Sequence, residues 1–184
     1  MVHRFEARQW VPFPVELVFA FFANPANLPH LMPRRLKMRI EEAHLKPPPP
    51  RPVASDATRR FRSVAAGPGS EILISFRPIP LLPFRAHWAA EITQLVWNSH
   101  IVDEQVHGPF ARFRHRHGIE AETVESAEGT AVTDEIEYEL PAGALGAIAD
   151  PFIRAAFKST FAERQKRLPE LLSAAAEQAA KRPG

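Results

Sequence analysis

Repeated alternation of apolar and polar residues constrains the fold of this chain more than any other feature. The pattern is typical of strands that bury one face, and it recurs in residues 71–77, 84–93, 97–107, 110–123 and 131–140. Residues 35–42 show it as well, and residues 3–10 show it less regularly. His107-Gly108-Pro109 is typical of a hairpin turn, and Glu128-Gly129 suits a turn with positive φ. Strands joined by hairpins pair antiparallel, so we predict one antiparallel sheet of about six to seven strands.

The remaining periodic segments are helical. Pro14 and the pair Asn24-Pro25 are helix-start signals, which predict two short helices after the first strand, the second over residues 25–31. Asp150-Pro151 repeats the signal and predicts a long C-terminal helix to about Ala180, which Pro169 should kink or divide. Its apolar stripe is Ile153, Phe157, Phe161, Leu168 and Leu172. A curved sheet that grips this helix leaves a cavity between the two.

The length of 184 residues predicts a single domain, 1–184. The proline-rich segment at about 46–54 is interpreted as an extended loop between strands, with a proline-motif docking site as the alternative. The tail at about 178–184 should fray. The apolar, proline-rich segment 78–83 has several interpretations: a lip over the cavity entrance, a dimer contact, a membrane-touching tip, or packing against the short helices.

Composition excludes several classes of function. Cysteine is absent, which removes disulfides, thiolate catalysis and cysteine metal sites. The net charge is only +2 and no dense Lys/Arg tract is interleaved with aromatic residues, so we expect no nucleic-acid partner. No apolar run has the length of a membrane span, and the first ten residues contain no signal-peptide core. We therefore expect a cytoplasmic protein without integral membrane association.

Three parts of the sequence carry a resemblance to a known family. They are residues 14–28, residues 103–117 (DEQVHGPFARFRHRH), and the set Gly129-Thr130, Asp134, Tyr138 and Pro141. Together they resemble the SRPBCC superfamily, also called START-like, polyketide-cyclase-like or helix-grip, in its bacterial cyclase/dehydrase-like, ligand-binding branch. The resemblance implies an α+β helix-grip fold, a curved antiparallel sheet wrapped around a long C-terminal helix.

Residues 112–119 give the clearest chemical signal. On a strand, Phe113, His115 and His117 share a face with an isoleucine, while three arginines share the other. Both histidines should therefore point into the cavity. If His107-Gly108-Pro109 closes a simple hairpin, Glu104 lies beside Phe113 and His115 and also points inward. Asp134 shares a face with apolar neighbours and should join this group.

These polar groups admit three interpretations: an anchor for a ligand carbonyl or hydroxyl, an acid–base pair, or a structural network that fixes strand register. The candidate catalytic residues are His115, His117, Glu104 and Asp134. Two histidines and a carboxylate could hold a metal, but His-x-His alone is weak evidence, so we predict no metal and no cofactor. Arg164 either contacts an acidic ligand group or extends its charged end to the rim of the cavity. We favour the second position. The predicted ligand-binding wall also includes Phe76, Trp88, Phe113, Tyr138, Phe157 and Phe161.

The leading hypothesis is a binder that carries or sequesters a small hydrophobic molecule, such as a lipid or polyketide-like compound. The first alternative is a cyclase/dehydratase-type enzyme that uses a His–carboxylate pair in the same cavity. The second is a stress-type module that modulates a partner and has no ligand. A homodimer is left open.

Overall fold

The computed structural model describes residues 1–54, 56, 59, 61, 63–79, 83–141 and 144–181, with the backbone alone at 144–147. The elements are β1 (Val2–Val11), α1 (Val15–Ala23), α2 (Leu28–Leu31), β2 (Arg39–His44), β3 (Glu71–Phe76), β4 (Ala86–Val96), β5 (His100–His107), β6 (Arg112–Val124), β7 (Ala127–Glu139) and α3 (Ala144–Ala180). Short 3-10 turns precede and follow α2, at Pro25–Asn27 and Arg34–Leu36.

All neighbouring strands pair antiparallel, in the order β1-β7-β6-β5-β4-β3-β2. From β2 to β7 the order follows the sequence, as expected for strands joined through turns and loops, and β1 closes the sheet against β7. The sheet is curved, and the long helix with the short helices after β1 completes an α+β helix-grip fold. The predicted fold class is confirmed.

Helix α1 is apolar nearly all round because it is buried nearly all round. Its Val18 and Phe19 belong to one core cluster with Leu168 and Leu172 of α3, all of them almost completely buried. A second cluster joins Phe161 of α3 to Phe113, Ile136 and Tyr138 on the inner face of the sheet. The C-terminal half of α3 thus seals one end of the fold.

Several predicted boundaries are wrong, among them the starts of α3 and β2. Helix α3 begins at Ala144 rather than Asp150, and it continues without division through Pro169. The Asp150 carboxylate does not act as a cap: it accepts hydrogen bonds from the Tyr138 hydroxyl and from Arg154 Nε, the latter at 2.8 Å. Strand β2 begins at Arg39 rather than residue 35, because Arg34–Leu36 forms a 3-10 turn that ends at Lys37 with φ of 44°.

The predicted Glu128-Gly129 turn is also wrong. The turn between β6 and β7 is formed by Glu125 and Ser126, with φ of 48° and 70°. Gly129 lies inside β7, where a Cβ atom would sit 2.4 Å from Trp10 Cζ2. Glycine is required here for the close approach of the Trp10 ring rather than for a turn.

The proline-rich segment lies in the connection between β2 and β3. Trp97 Nε1 donates to the Pro49 carbonyl at 2.9 Å, so the loop is fastened to the end of β4.

In the apolar segment 78–83, residues 80–82 lie outside the described residues, and Ile79 is about half exposed (49%). Helix α3 includes residues 178–180 of the expected frayed tail, whereas 182–184 lie outside the described residues. Within the described part of the chain, no helix has both the length and the apolar character that crossing a membrane requires.

Candidate functional site

A cavity of about 510 Å³ lies between the inner face of the sheet, the short helices and α3. Its lining is mostly apolar, with Ile72, Ile74 and Ile92 of the sheet among the buried contributors. Of the lining residues, Pro78, Pro109 and Ala156 are exposed to solvent, which places the opening between the end of β3, the β5–β6 loop and α3. The predicted residues found on the wall are Phe76, Trp88, Phe113, His115, His117, Phe157, Phe161 and Arg164.

An aromatic cluster forms one side of the cavity. The rings of Trp88 and Phe113 meet edge to face, with centroids 4.5 Å apart, and Phe110 lies 5.2 Å from Phe113. Sequence reasoning missed Phe110 because it placed this residue in a strand over 110–123, on the face opposite Phe113. In the structure β6 begins at Arg112, and Phe110 lies in the β5–β6 loop. The Gln105 side chain fixes that loop by donating to the Phe110 carbonyl at 2.8 Å.

The polar end of the cavity is centred on one carboxylate oxygen, Oδ1 of Asp134. It lies 3.0 Å from His115 Nε2, 2.8 Å from His117 Nδ1 and 3.0 Å from Arg164 Nη2. The sheet register produces this arrangement, because Asp134 on β7 is directly opposite His117 on β6. Arg164 reaches the pair from α3. Asp134 itself is not on the cavity wall but directly behind the histidines.

A second carboxylate, Asp103, completes the polar end. It is directly opposite His115 in the β5–β6 ladder and lines the cavity. Its Oδ1 lies 3.4 Å from His117 Nε2 and 4.0 Å from His115 Nδ1. The two imidazole rings therefore stand between two carboxylates, with their centroids 3.8 Å apart.

The prediction that Glu104 points inward is wrong, and Asp103 takes the place assigned to it. The β5–β6 connection is longer than a tight His107-Gly108-Pro109 turn, and the ladder therefore pairs Glu104 with Arg114 on the outer face. There the Glu104 carboxylate lies 3.6 Å from Arg114 Nε, with 43% of its side chain exposed.

Two further residues differ from their predicted positions. Arg164 does not extend to the rim: only 7% of its side chain is exposed, because Asp134 supplies the opposite charge inside the fold. Tyr138 is fully buried behind the wall rather than on it. Its hydroxyl donates to Asp150, and its ring stacks on His3 with centroids 5.2 Å apart, so it ties β7 to α3.

Burial and the neighbouring charges shift the pKa values of His115 and His117 in opposite directions. Burial alone would raise the pKa of Asp134, but Arg164 and the two imidazoles outweigh it and hold the pKa well below its usual range. Burial and the neighbouring His117 lower the pKa of His115. Burial also opposes the charged form of His117, yet contacts with Asp103 and Asp134 raise its pKa. His117 is thus the preferred cation and His115 the neutral ring.

Comparison with known proteins identifies the family. The family described as polyketide cyclase / dehydrase and lipid transport matches residues 11–163. The chain belongs to this family.

Solved structures share the fold of this family member at low sequence identity. TTHA0849 from Thermus thermophilus is 17% identical with a TM-score of 0.57, over 94% of this chain and 99% of that one. Ara h 8.0201 is 11% identical with a TM-score of 0.57, over 95% and 99%. Norcoclaurine synthase from Thalictrum flavum is 12% identical with a TM-score of 0.59, over 94% and 87%. A search of curated proteins found no match.

In this family member, the polar end offers specific hydrogen-bonding groups to a cavity whose lining is mostly apolar. Neutral His115 has one ring nitrogen free to accept a hydrogen bond once Nε2 donates to Asp134. Arg164 Nη2 is at ion-pair distance from Asp134 but is not aligned for a hydrogen bond, so its N–H groups are not satisfied by that carboxylate. The arrangement suits a ligand with an apolar body and an oxygen atom at one end.

Proposed function

We propose that the protein binds a small, mainly apolar molecule, such as a lipid or polyketide-like compound, and carries or sequesters it in the cavity. The observation that carries the proposal is a mostly apolar cavity of about 510 Å³ with a cluster of buried polar groups at one end. Ligand cavities commonly measure about 300–1,000 Å³ and combine apolar walls with a few placed polar groups. The family description, which includes lipid transport, supports the same class of function.

The cavity walls favour a flat or branched apolar ligand body. Trp88, Phe113 and Phe157 present ring faces and edges to the same space. Burial of apolar area provides the affinity, at roughly 25 cal/mol per Å². His115 and Arg164 then set the orientation, because a ligand without an oxygen atom at that end would leave their N–H and N groups without partners.

A pair of variants on adjacent residues of β4 tests the proposal. Ala90 lines the cavity, whereas Ala89 precedes it on the strand and points to the opposite face. Ala90→Phe should fill part of the cavity and weaken binding of the apolar fluorophore 1-anilinonaphthalene-8-sulfonate by at least tenfold. Ala89→Phe adds the same group outside the cavity and should leave the affinity unchanged. Equal affinity in both variants and the wild type would contradict the proposal.

Native mass spectrometry of freshly purified protein identifies the ligand class directly. We expect a co-purifying small molecule that organic solvent extracts, present in the wild type and in Ala89→Phe but depleted in Ala90→Phe.

One observation favours a cyclase/dehydratase-type enzyme as a second candidate. Neutral His115 and protonated His117 are neighbours at the polar end, and two titratable groups with opposed pKa shifts suit base and acid roles. Incubating the co-purified ligand with the wild type and with His115→Gln separates the two functions. Loss of product with retained binding and melting temperature would favour the enzyme, and an unchanged ligand in the wild type would favour the carrier.

A further inference from the structure

Three potential metal ligands face one another at the polar end of the cavity. They are Asp103 Oδ1, His115 Nδ1 and His117 Nε2, and all three atoms lie within 4.8 Å of one another. The Asp103 oxygen is 3.4 Å from His117 Nε2 and 4.0 Å from His115 Nδ1. All three residues line the cavity, so the side of the triangle toward the cavity is open.

Direct hydrogen bonds account poorly for these spacings. A good N–H···O bond has its heavy atoms about 2.7–3.2 Å apart, and both imidazole nitrogens are farther than this from Asp103. The same rings do make short bonds on their other side, at 3.0 and 2.8 Å to Asp134. The rings are therefore held firmly by Asp134, while a wider gap separates them from Asp103.

The gap has the dimensions of a metal site. With bond lengths of about 2.0–2.2 Å, the ligand atoms of a tetrahedral site are ~3.3 Å apart. The 3.4 Å distance already matches this spacing, and the 4.0 Å distance exceeds it by less than about 1 Å. Two imidazole nitrogens with one carboxylate oxygen is a ligand set that first-row divalent metals accept, with positions left for water or substrate.

Asp134 supplies the outer support that such sites have. Metal-binding imidazoles usually donate their second N–H to a carboxylate, which fixes the ring and the tautomer. Here His115 Nε2 and His117 Nδ1 both bond to Asp134 Oδ1, so His115 Nδ1 and His117 Nε2 are the nitrogens that face the gap beside Asp103. A metal ion bound there would replace the proton on His117 Nε2. Arg164, 3.0 Å from the same oxygen, holds Asp134 in place.

We propose that Asp103, His115 and His117 bind one divalent first-row transition metal ion, with zinc as the representative, and leave a coordination position open to the cavity. The site departs from the metal-free expectation drawn from the sequence, which treated His-x-His alone as weak evidence, and its carboxylate is Asp103 rather than Glu104. An oxygen atom of a ligand could occupy the open position. The metal site does not depend on the proposed carrier function, since the three protein ligands are present without an organic molecule.

Metal titration of the whole, untagged chain tests this site. Chelator-treated, dialysed protein is titrated with Zn²⁺ by calorimetry and with Co²⁺ by visible absorption. We expect one ion per chain and the intense cobalt bands of a site with four or five ligands. Asp103→Asn should weaken binding by at least about 100-fold, because loss of a direct ligand exceeds the 10–100-fold cost of an outer-shell change. Glu104→Gln, the next residue on the outer face, should bind as the wild type does.

A second pair of variants separates this site from exposed histidines. His117→Gln should also remove tight binding, whereas His87→Gln, at an exposed position of β4, should not. Circular dichroism and thermal melting establish that each variant is folded. Failure of the wild type to bind either ion, or unchanged binding in folded Asp103→Asn or His117→Gln, would overturn the site. Fluorophore binding is measured separately, so either proposal can fail alone.

Discussion

At the scale of single residues, the Asp134 carboxylate organises the polar end of the cavity. One oxygen faces two imidazoles and a guanidinium, and the side chains of Asp134 and Arg164 are each only 7% exposed. Charges with so little solvent depend on one another, and removal of one partner costs far more than the pair contributes as a whole. Replacing Arg164 should therefore leave the Asp134 carboxylate buried without its main countercharge.

In metal-free protein, Arg164→Met should lower the free energy of unfolding by about 3–5 kcal/mol at pH 7, because Asp134 loses its strongest countercharge. The depressed pKa of Asp134 means that its contribution is present above about pH 4 and is lost as the pH falls through the folded value. The deficit of the variant should therefore shrink at low pH. Urea unfolding at pH 7 and at successive steps below pH 4 measures it.

The double variant Arg164→Met/Asp134→Asn is the control. Removing both charges leaves no unpaired carboxylate, so its deficit at pH 7 should be smaller than that of Arg164→Met alone. A deficit in Arg164→Met that does not change with pH would show that lost packing, rather than the ion pair, explains the loss.

Tyr138 offers a direct titration because it is the only tyrosine in the chain. Burial and the bond to Asp150 both raise the pKa of its hydroxyl above the ordinary value of about 10. Because the folded pKa is raised, the stabilisation is complete below pH 10 and is lost as the pH rises above it. Tyrosinate absorbance of the folded protein should therefore appear well above pH 10, and urea should return the midpoint to about 10.

Asp150→Asn tests the two causes of the Tyr138 shift. Burial is the larger cause, so this variant should lower the pKa of Tyr138 only part of the way toward its ordinary value. Titration of the folded wild type near pH 10 would contradict the buried position of the ring.

The sequence predicted some site residues and not others, for one physical reason. Strand alternation placed His115 and His117 on the inner face correctly, since it is a local property. The choice between Asp103 and Glu104 depends on the number of residues in the β5–β6 loop, and a shift of one residue exchanges the faces of a strand. Cross-strand charge complementarity, with Glu104 opposite Arg114, was the available signal for the register.

At the scale of elements, β7 depends on a glycine that the turn analysis misassigned. A Cβ atom on Gly129 would lie 2.4 Å from Trp10 Cζ2 and 2.6 Å from the Val11 carbonyl oxygen, and the backbone oxygen cannot move aside cheaply. Gly118 on β6 is the matched comparison, because its hypothetical Cβ meets the flexible Arg116 side chain at 3.2 Å.

Gly129→Ala should therefore lower the free energy of unfolding by about 1–3 kcal/mol, the usual cost of overpacking. Gly118→Ala should stay within about 1 kcal/mol of the wild type, since alanine is otherwise preferred to glycine in a strand. Urea unfolding compares the two. Equal losses would mean that Trp10 moves freely, although its Nε1 donates to the Glu122 carbonyl at 3.1 Å.

Helix α3 shows why element type is easier to predict than element boundary. Its apolar stripe, including Leu168 and Leu172, is a strong periodic signal that tertiary packing reinforces. Its start depended on one dipeptide, Asp150-Pro151, and the Asp150 side chain instead bonds to Tyr138 and Arg154. The expected capping carboxylate is bonded to Tyr138 of β7, and no local sequence pattern predicts that contact.

At the scale of the whole molecule, the fold leaves its centre hollow. Alternating strands and one long helical stripe were enough to predict a sheet that grips a helix. The cavity volume was not predictable, because it depends on how far α3 stands from β3–β6, a distance set by many side chains at once. The side chains that line this apolar cavity of about 510 Å³ also lack the van der Waals contacts that they would make in a filled core.

Stability and binding should therefore oppose each other in this molecule. Without ligand, Ala90→Phe should raise the free energy of unfolding by about 0.5–2 kcal/mol, because the ring contacts atoms that now face empty space. A bound ligand should fill that space in the wild type instead, and at 100 times its Kd it stabilises by about 2.7 kcal/mol. Urea unfolding with and without the extracted ligand measures both effects. If Ala90→Phe gained the full ligand-induced stabilisation, the two groups would occupy different places, and the cavity would not be the binding site.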